Sequence, residues 1–331
     1  MHPSNTLILQ GSDLDDGVKS GLVFEGGSLG LAGSRTEGSV ESQVLAVPEF
    51  TDVVASWNSA TAPGTYVELL VRVKRGDAWS RWFSYGKWSD NGRNQGSIKG
   101  QEDEIARLDV DLLRIVGGSA EAIQYKLILS REDAAAPSPR VRLIAFSWTP
   151  KTLSEDNYTG AEIALNVAPR AQLPVPKIGN IICSPTSLAT VMAYHGHVED
   201  TEQVAVGARD NGAGIYGNWS YNVAYAAEKG FTAWVQRCNS MEDVRQYLEQ
   251  GLPIIASIRI AAKEELTGAL SAYPHGHLLV ITGLSRVDGQ DYVLVNDPAA
   301  HREEDVPRRY RLDQFLKAWT RKQIYVLKQA G

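Results

Sequence analysis

The sequence predicts two domains: an amino-terminal all-β sandwich or jelly roll over residues 1–150, and a carboxy-terminal α+β domain with an antiparallel sheet over residues 151–331. Three observations lead to this prediction. The 331 residues are about twice the size of a common domain. The apolar pattern has period two as far as Trp148. Prolines then interrupt residues 149–180, and helical periodicity follows.

Alternating apolar residues predict the strands of the first domain. From Val67 to Val73 they alternate with polar residues, and Gly76-Asp77 supplies the turn of a hairpin that returns through residues 79–85. Short strands with regular turn signals indicate an antiparallel sandwich or jelly roll. Further alternations occur at Leu108/Val110/Leu112, Ile123/Tyr125/Leu127/Leu129 and Val141/Leu143/Ala145.

Five of the eight tryptophans lie in this first half, at positions 57, 79, 82, 88 and 148. Aromatic side chains on an open sheet face can stack against sugars or peptides, so a ligand of this domain is one hypothesis. Tryptophans of a sandwich are more often core residues, and the core interpretation is favoured.

Helix signals mark the second domain. Ser184 is the expected cap of a helix with Pro185 at its first position, and this helix ends at Gly196. Ser240 begins another helix that stops at Gly251, and an apolar stripe from residue 312 to 319 predicts a third. Strand-like runs at 253–258, 277–283 and 291–296 lie between the last two helices. The mixture predicts an α+β domain.

The charge and apolar patterns exclude several partners. Lys and Arg number 33 against 39 Asp and Glu, a net charge of −6, which disfavours nucleic acid and anionic membranes. No apolar run approaches the length of a membrane span. The first residues, MHPSNTLILQGSDLDDG, contain no visible signal peptide. We therefore expect a soluble, cytoplasmic protein, and an exported form stays open if a leader has been trimmed.

Two cysteines are too few for a disulfide framework, so each is judged as a single thiol. Cys183 stands just ahead of the first predicted helix, where free N–H groups and the helix dipole stabilise an anion. Such a position lowers the pKa of a thiol and favours the thiolate nucleophile. Cys238 lies in a polar stretch without that setting, and an inert, semi-buried thiol is expected there.

A thiolate nucleophile needs an imidazole, and the imidazole needs an orienting group. His277 opens one apolar run and Asp297 closes the next. If the two runs form a hairpin centred near Val287, these residues face each other directly across the strands. The Asp288-Gly289 pair could shift the turn by one residue and separate the faces; Asn296 would then be the better orienter.

A hydrolytic site also needs hydrogen-bond donors for the oxyanion that forms in the reaction. The Cys183 N–H is one candidate donor. A side-chain amide is the other usual source, and Gln172 is the only glutamine of the connector between 149 and 182.

Metal binding is the competing chemistry. The pairs His195-x-His197 and His275-x-His277 raise a zinc site as an alternative. No established zinc motif accompanies them, so no metal or other cofactor is expected.

The segments ICSPTSLATVMAYHG, GHLLVITG and VNDPAA together resemble the C-thirty-nine-like cysteine peptidases, relatives of the bacteriocin-processing peptidases in the papain-like group. The likeness covers the second half of the chain, and the first half resembles the amino-terminal region of some stand-alone members. It implies a papain-like fold, with Cys183 as nucleophile, His277 as general base and acid, Asp297 as its orienter and Gln172 as the oxyanion-hole amide.

We therefore expect a cysteine peptidase that cleaves a peptide or protein through a thioester acyl-enzyme. Two alternatives stay open at this point. The same triad serves amidases, isopeptidases and transamidases, and a peptidase-like fold can bind a ligand without turnover.

Overall fold

A computed structural model describes residues 5–90, 96–153 and 158–329. Within these ranges the chain forms two compact units. The β unit contains the described residues of 5–153 together with 207–235, and the site unit contains 158–206 and 236–329. The prediction of a mostly β first domain and an α+β second domain with an antiparallel sheet is confirmed. The boundary near residue 150 and the jelly-roll topology stay predictions.

The strands in chain order are β1 (Thr6–Gln10), β2 (Val18–Ser20), β3 (Leu22–Glu25), β4 (Ser28–Leu31), β5 (Glu37–Glu41), β6 (Leu45–Ala60), β7 (Thr65–Arg75), β8 (Ala78–Trp79), β9 (Phe83–Trp88), β10 (Gln101–Glu102), β11 (Ala106–Asp109), β12 (Leu112–Ile115), β13 (Ala120–Arg131), β14 (Arg140–Pro150), β15 (Ile163–Ala164), β16 (Phe231–Arg237), β17 (Ile254–Ile260), β18 (Tyr273–Val287), β19 (Gln290–Asn296), β20 (Pro307–Arg311) and β21 (Gln323–Gln329). The α-helices are α1 (Cys183–Tyr194), α2 (Thr201–Ala208), α3 (Trp219–Glu228), α4 (Met241–Glu249) and α5 (Leu312–Ala318).

Antiparallel pairing links the fourteen strands β1–β14 into one sheet. The strand order is β10-β11-β12-β6-β13-β5-β2, and β14 and β7 pair with β6 and β13 respectively. The predicted hairpin is present, because β7 pairs with β8 and β9 and buries every second residue from Val67 to Val73. The prediction of one continuous strand through Leu108, Val110 and Leu112 is wrong. Val110 has a φ of +61° and lies in the turn between β11 and β12, so residues 108–112 form a hairpin.

The tryptophans of the β unit divide into two groups. Trp57, Trp88 and Trp148 are buried, as the core interpretation predicts. Trp79 and Trp82 are partly exposed, and the Arg72 guanidinium lies 4.8 Å and 4.5 Å from their ring centroids. A ligand of this domain stays a prediction.

Residues 207–235 belong to the β unit although they lie in the second half of the sequence. The side-chain amide of Asn58 donates to the Ala233 carbonyl at 2.6 Å and accepts from its N–H at 3.0 Å. The half-buried carboxylate of Glu228, at the end of α3, accepts hydrogen bonds from Thr61 and from the Trp88 indole. These polar contacts join the segment to the first-half strands, because polar groups withdrawn from water need hydrogen-bond partners.

The site unit is built on the sheet order β21-β17-β18-β19-β20, with β15 paired to β18. Helix α1 packs against β18 and is buried along most of its length, which explains its apolar sequence. The other predicted helices are confirmed as α4, capped by Ser240, and α5. The three strand-like runs correspond to β17, β18 and β19.

The start of α1 differs from the prediction. The helix begins at Cys183 and the residue before it, Ile182, is the N-cap without a side-chain hydrogen bond. Ser184 is not the cap, because its hydroxyl is 3.0 Å from the Tyr325 hydroxyl. Gly196, with a φ of +91°, follows the helix end as expected.

No helix in the described part of the chain has the length and apolar character needed to cross a membrane.

Candidate active site

The Cys183 thiol occupies the first turn of α1. It is half-buried, whereas Cys238 is buried. The N-cap residue, Ile182, gives the first N–H groups of the helix no side-chain hydrogen bond. The Ser184 and Leu278 N–H groups both act on the Cys183 sulfur as hydrogen-bond donors. The sulfur therefore lies among donors that favour its anion.

His277 lies in β18 and Asp297 directly follows β19. Both are buried, at 3% and 0% exposure. The imidazole Nε2 and Asp297 Oδ1 are 2.7 Å apart, and the His277 side chain also hydrogen bonds with Cys183. Because Asp297 occupies Nε2, Nδ1 is the nitrogen left for the sulfur. The structure thus brings together three of the four predicted site residues.

The register of the β18–β19 hairpin differs from the predicted register, which is centred near Val287. The turn is Asp288-Gly289, both with positive φ, and Val287 pairs with Gln290. That shift alone would place His277 and Asp297 on opposite faces of the hairpin.

A β-bulge between Ile281 and Gly283 restores the common face. Thr282 is an extra residue there, so that beyond it Ile281 pairs with Val295. Continuing this register sets Asp297 beside Leu279, one diagonal step from His277. Direct opposition is therefore wrong, and the two side chains meet diagonally on one face.

Gly283 allows β15 to approach the strand at this bulge. A Cβ atom on Gly283 would lie 2.2 Å from the Ile163 carbonyl oxygen and 3.0 Å from Ala164 Cα. Ala164 pairs with Gly283 across this contact. The glycine is required by the close approach of two backbones.

The side chain of Asn296, the alternative orienting group for His277, makes its hydrogen bond to another segment. Its side-chain amide donates to the Val167 carbonyl at 3.0 Å. The geometry therefore favours Asp297 as the partner of His277.

Two tyrosines that sequence reasoning missed complete the surroundings of Asp297. The hydroxyls of Tyr273 and Tyr310 donate to Asp297 Oδ2 at 3.0 Å and 2.7 Å. The Tyr273 ring is stacked on the His277 ring, with centroids 3.9 Å apart and an interplanar angle of 12°. The even spacing of 273 and 277 within one strand is a signal that could have indicated Tyr273. Tyr310, from β20, has no such local signal.

The charges of the array support one another. Burial raises the pKa of Cys183, but the hydrogen bond and charge of His277 outweigh it, and the pKa ends below its ordinary value. Burial lowers the pKa of His277, whereas Asp297 and Cys183 raise it to about 10. Burial also raises the pKa of Asp297, and His277 together with Tyr310 reverses that effect. The favoured state is a thiolate beside an imidazolium and a carboxylate.

Gln172, the fourth predicted residue, is buried near this array without a direct contact to Cys183 among those described. Its Nε2 donates to the Gly179 carbonyl at 2.7 Å, and its N–H donates to the Pro298 carbonyl at 2.8 Å. The second bond ties Gln172 to the residue after Asp297. Its Oε1 has no hydrogen-bond partner in the described part of the chain.

The zinc alternative finds no support in the described residues, which contain no group of three or more His, Cys, Asp or Glu side chains placed to hold a metal ion. His197 instead lies 3.4 Å from Glu199.

Two family models match the chain. The Peptidase_C39 like family matches residues 164–325, and the Peptidase C39 N-terminal domain matches residues 31–148. The chain belongs to the Peptidase C39-like family. The predicted resemblance is confirmed, and membership of the Peptidase C39-like family indicates cysteine peptidase activity. All four predicted site residues lie within the range 164–325.

Similar solved structures include a protein from Bacillus anthracis described as a candidate C39-like peptidase. It is 20% identical, with a TM-score of 0.38 over 52% of this chain and 100% of that one. The C-terminal CBM6 of LamC, a marine laminarinase from Zobellia galactanivorans, is 11% identical, with a TM-score of 0.25 over 43% of this chain and 99% of that one. No curated protein matches the sequence of this Peptidase C39-like family member.

Proposed function

We propose that the chain is a cysteine peptidase that hydrolyses peptide bonds through a triad of Cys183, His277 and Asp297. The main support is the continuous line of hydrogen bonds from sulfur to imidazole to carboxylate at the first residue of a helix. The family match favours a peptide or protein substrate. We assign the second domain to the papain-like group, because the thiol lies on a helix, the imidazole on an antiparallel sheet, and the chain order is Cys, His, Asp.

The first chemical step is attack on the peptide carbonyl. The Cys183 thiolate forms a C–S bond, and the carbonyl π electrons move to oxygen to give a tetrahedral oxyanion. The Cys183 N–H at the helix start is one donor for that oxygen. We propose Gln172 as the other, because its Nε2 has two hydrogens and Gly179 accepts only one of them.

Collapse of this intermediate produces the thioester. The C–N bond breaks, the imidazolium of His277 gives its Nδ1 proton to the departing amine, and the carbonyl reforms. Asp297 remains a carboxylate throughout and holds Nε2–H, which keeps Nδ1 directed at the reacting atoms. The products of this step are a free amine and an acyl group on Cys183.

Water completes the reaction. His277, now neutral, takes a proton from water as the oxygen attacks the thioester carbonyl. The second tetrahedral intermediate expels the Cys183 thiolate, which again pairs with the imidazolium, and the carboxylic acid leaves. The net change is one peptide bond and one water converted to an acid and an amine, and no cofactor takes part.

The test is turnover of a labelled peptide library by the purified chain. We expect Cys183→Ala to lower kcat/KM more than ~1,000-fold, because the nucleophile is gone. Cys238→Ala is the matched control, and its activity should stay within about twofold of the wild type. Undiminished turnover in Cys183→Ala would contradict the proposal. Mass spectrometry of the products separates cleaved backbone bonds from cleaved isopeptide bonds or transfer to an added amine.

A further inference from the structure

In the described part of the chain the Asp297 carboxylate has four hydrogen-bond partners, and two of them are tyrosines. Oδ1 lies 2.7 Å from His277 Nε2 and accepts from the Ala299 N–H at 3.1 Å. Oδ2 accepts from the hydroxyls of Tyr310 and Tyr273. The carboxylate is fully buried, so these donors replace the water that an exposed carboxylate would have. Because Oδ2 is occupied by both tyrosines, Oδ1 is the oxygen left for the imidazole.

Tyr273 touches both partners of the His277–Asp297 pair. Its hydroxyl donates to the carboxylate, and its ring lies parallel to the imidazole at stacking distance. A stacked ring restricts rotation of the imidazole out of its plane and excludes water from one of its faces. The side chain is itself only 7% exposed, which leaves it little freedom to move away.

We propose that Tyr273 and Tyr310 are positioning residues that act through Asp297, the two hydroxyls holding the carboxylate ionised and fixed while the Tyr273 ring fixes the plane of His277. This inference rests on the proposed function, because it concerns the orientation of the imidazole that serves Cys183. Neither tyrosine is assigned contact with the substrate.

The charged groups that act on the pair and on Tyr310 come from α1 and β20. His277 is influenced by Asp297 and by Cys183 of α1, and Arg308 of β20 acts on Tyr310. The hydrogen bond from Tyr310 is one of the contacts that lower the pKa of Asp297 against the effect of burial. Removing a hydroxyl donor therefore raises the pKa of Asp297. Once Asp297 is protonated it no longer supports the imidazolium, and the thiolate is lost.

The experiment measures alkylation of Cys183 by iodoacetamide in the full chain, because this readout needs no substrate. Rates are determined from about pH 3 to about pH 10, a range that spans the ordinary pKa values of Asp, His and Cys, and the modified residue is mapped by mass spectrometry. The variants are Tyr273→Phe and Tyr310→Phe, each of which loses one hydroxyl. The matched control is Tyr247→Phe, a buried tyrosine of α4 whose hydroxyl donates to Gln236 at 2.6 Å.

We expect both site variants to lose reactivity on the acid side. The acid limb of their Cys183 alkylation profile should move to higher pH by about one unit, since a rise of one pKa unit is a tenfold change in protonation, and their rates near about pH 8 should stay within ~twofold of the wild type. Tyr247→Phe should follow the wild-type profile. Tyr273→Leu removes the ring as well, and its rate should fall both on the acid limb and near about pH 8.

Profiles of Tyr273→Phe and Tyr310→Phe that coincide with the wild type would overturn the inference while leaving the proposed function intact. An unreactive Cys183 in the wild type would instead reject the proposed function. If Tyr310→Phe does not fold, as judged by circular dichroism, Tyr273→Phe decides. Loss of folding in both would mean that the hydroxyls serve stability, which also rejects the inference.

Discussion

The pKa values of the two cysteine thiols in the site unit are shifted in opposite directions. Cys183 is half-buried at the start of α1, and Cys238 is buried two residues before the cap of α4. Burial raises the pKa of each thiol. At Cys238 the charge of Asp243 adds to burial, Arg237 and nearby Lys322 offset it only in part, and the pKa ends well above its ordinary value.

At Cys183 the imidazole reverses the effect of burial. The hydrogen bond and the charge of His277 together lower the thiol pKa below its ordinary value. A position close to the start of a helix therefore does not by itself lower the pKa of a thiol. A cation held against the sulfur decides the outcome, and Asp297 maintains that cation.

The largest expected difference between the two thiols is their rate of alkylation in the native chain. At about pH 7 we expect iodoacetamide to modify Cys183 ~1,000-fold faster than Cys238, since the lowered pKa of Cys183 favours its thiolate, whereas the raised pKa and the burial of Cys238 keep it a protonated thiol. Quenched time courses and mass spectrometry of the two cysteine peptides measure both rates. Denaturant should make the rates equal. Similar alkylation rates in the native chain would contradict the opposite pKa shifts of the two thiols.

Asp297→Asn should raise the pKa of the Cys183 thiol and so reduce its difference from Cys238. Without the carboxylate charge, burial dominates and the pKa of His277 falls from about 10. The imidazolium is then lost at lower pH, so the alkaline limb of peptide hydrolysis, which needs this proton for the departing amine, moves to lower pH, and the Cys183 thiol pKa rises. We expect kcat/KM to fall about 100-fold or more, measured as a pH series of peptide hydrolysis.

Asp243→Asn is the matched control, because it removes a half-buried carboxylate beside the other thiol. Its burial and its hydrogen bonds from Asn239 and Ser240 make it comparable in kind. Activity should stay within about twofold of the wild type. An equal loss in both variants would mean that general damage, and not the His277 charge, explains Asp297→Asn.

The smallest expected loss of activity concerns the β-bulge at Thr282, which places His277 and Asp297 on the same face of the hairpin. Gly283→Ala forces β15 away from β18, so we expect kcat/KM to fall about tenfold as the imidazole shifts. The melting temperature should fall by several degrees. Gly217→Ala is the control, since nothing lies within 4 Å of the added Cβ. Wild-type activity in Gly283→Ala would show that the close approach of the strands does not position His277.

Much of the site unit could be predicted from short-range patterns. The cap at Ser240, the glycine after α1 and the apolar runs of β17, β18 and β19 are signals that adjacent residues provide. Ser184 failed as a cap because its hydroxyl meets Tyr325, which is 141 residues away in the sequence. Val110 failed as a strand residue because an apolar side chain in a turn leaves the period-two pattern unbroken.

The sequence by itself determined which residue types were available for chemistry and on which kind of element each would lie, because helix starts, turns and strand periods depend on neighbours within a few positions. Only the tertiary structure decided how they meet. The bulge at Thr282, the attachment of Asp297 to Tyr310 and the place of residues 207–235 in the β unit depend on close packing between distant segments. Such packing fixes register and hydrogen-bond partners that local pattern does not specify.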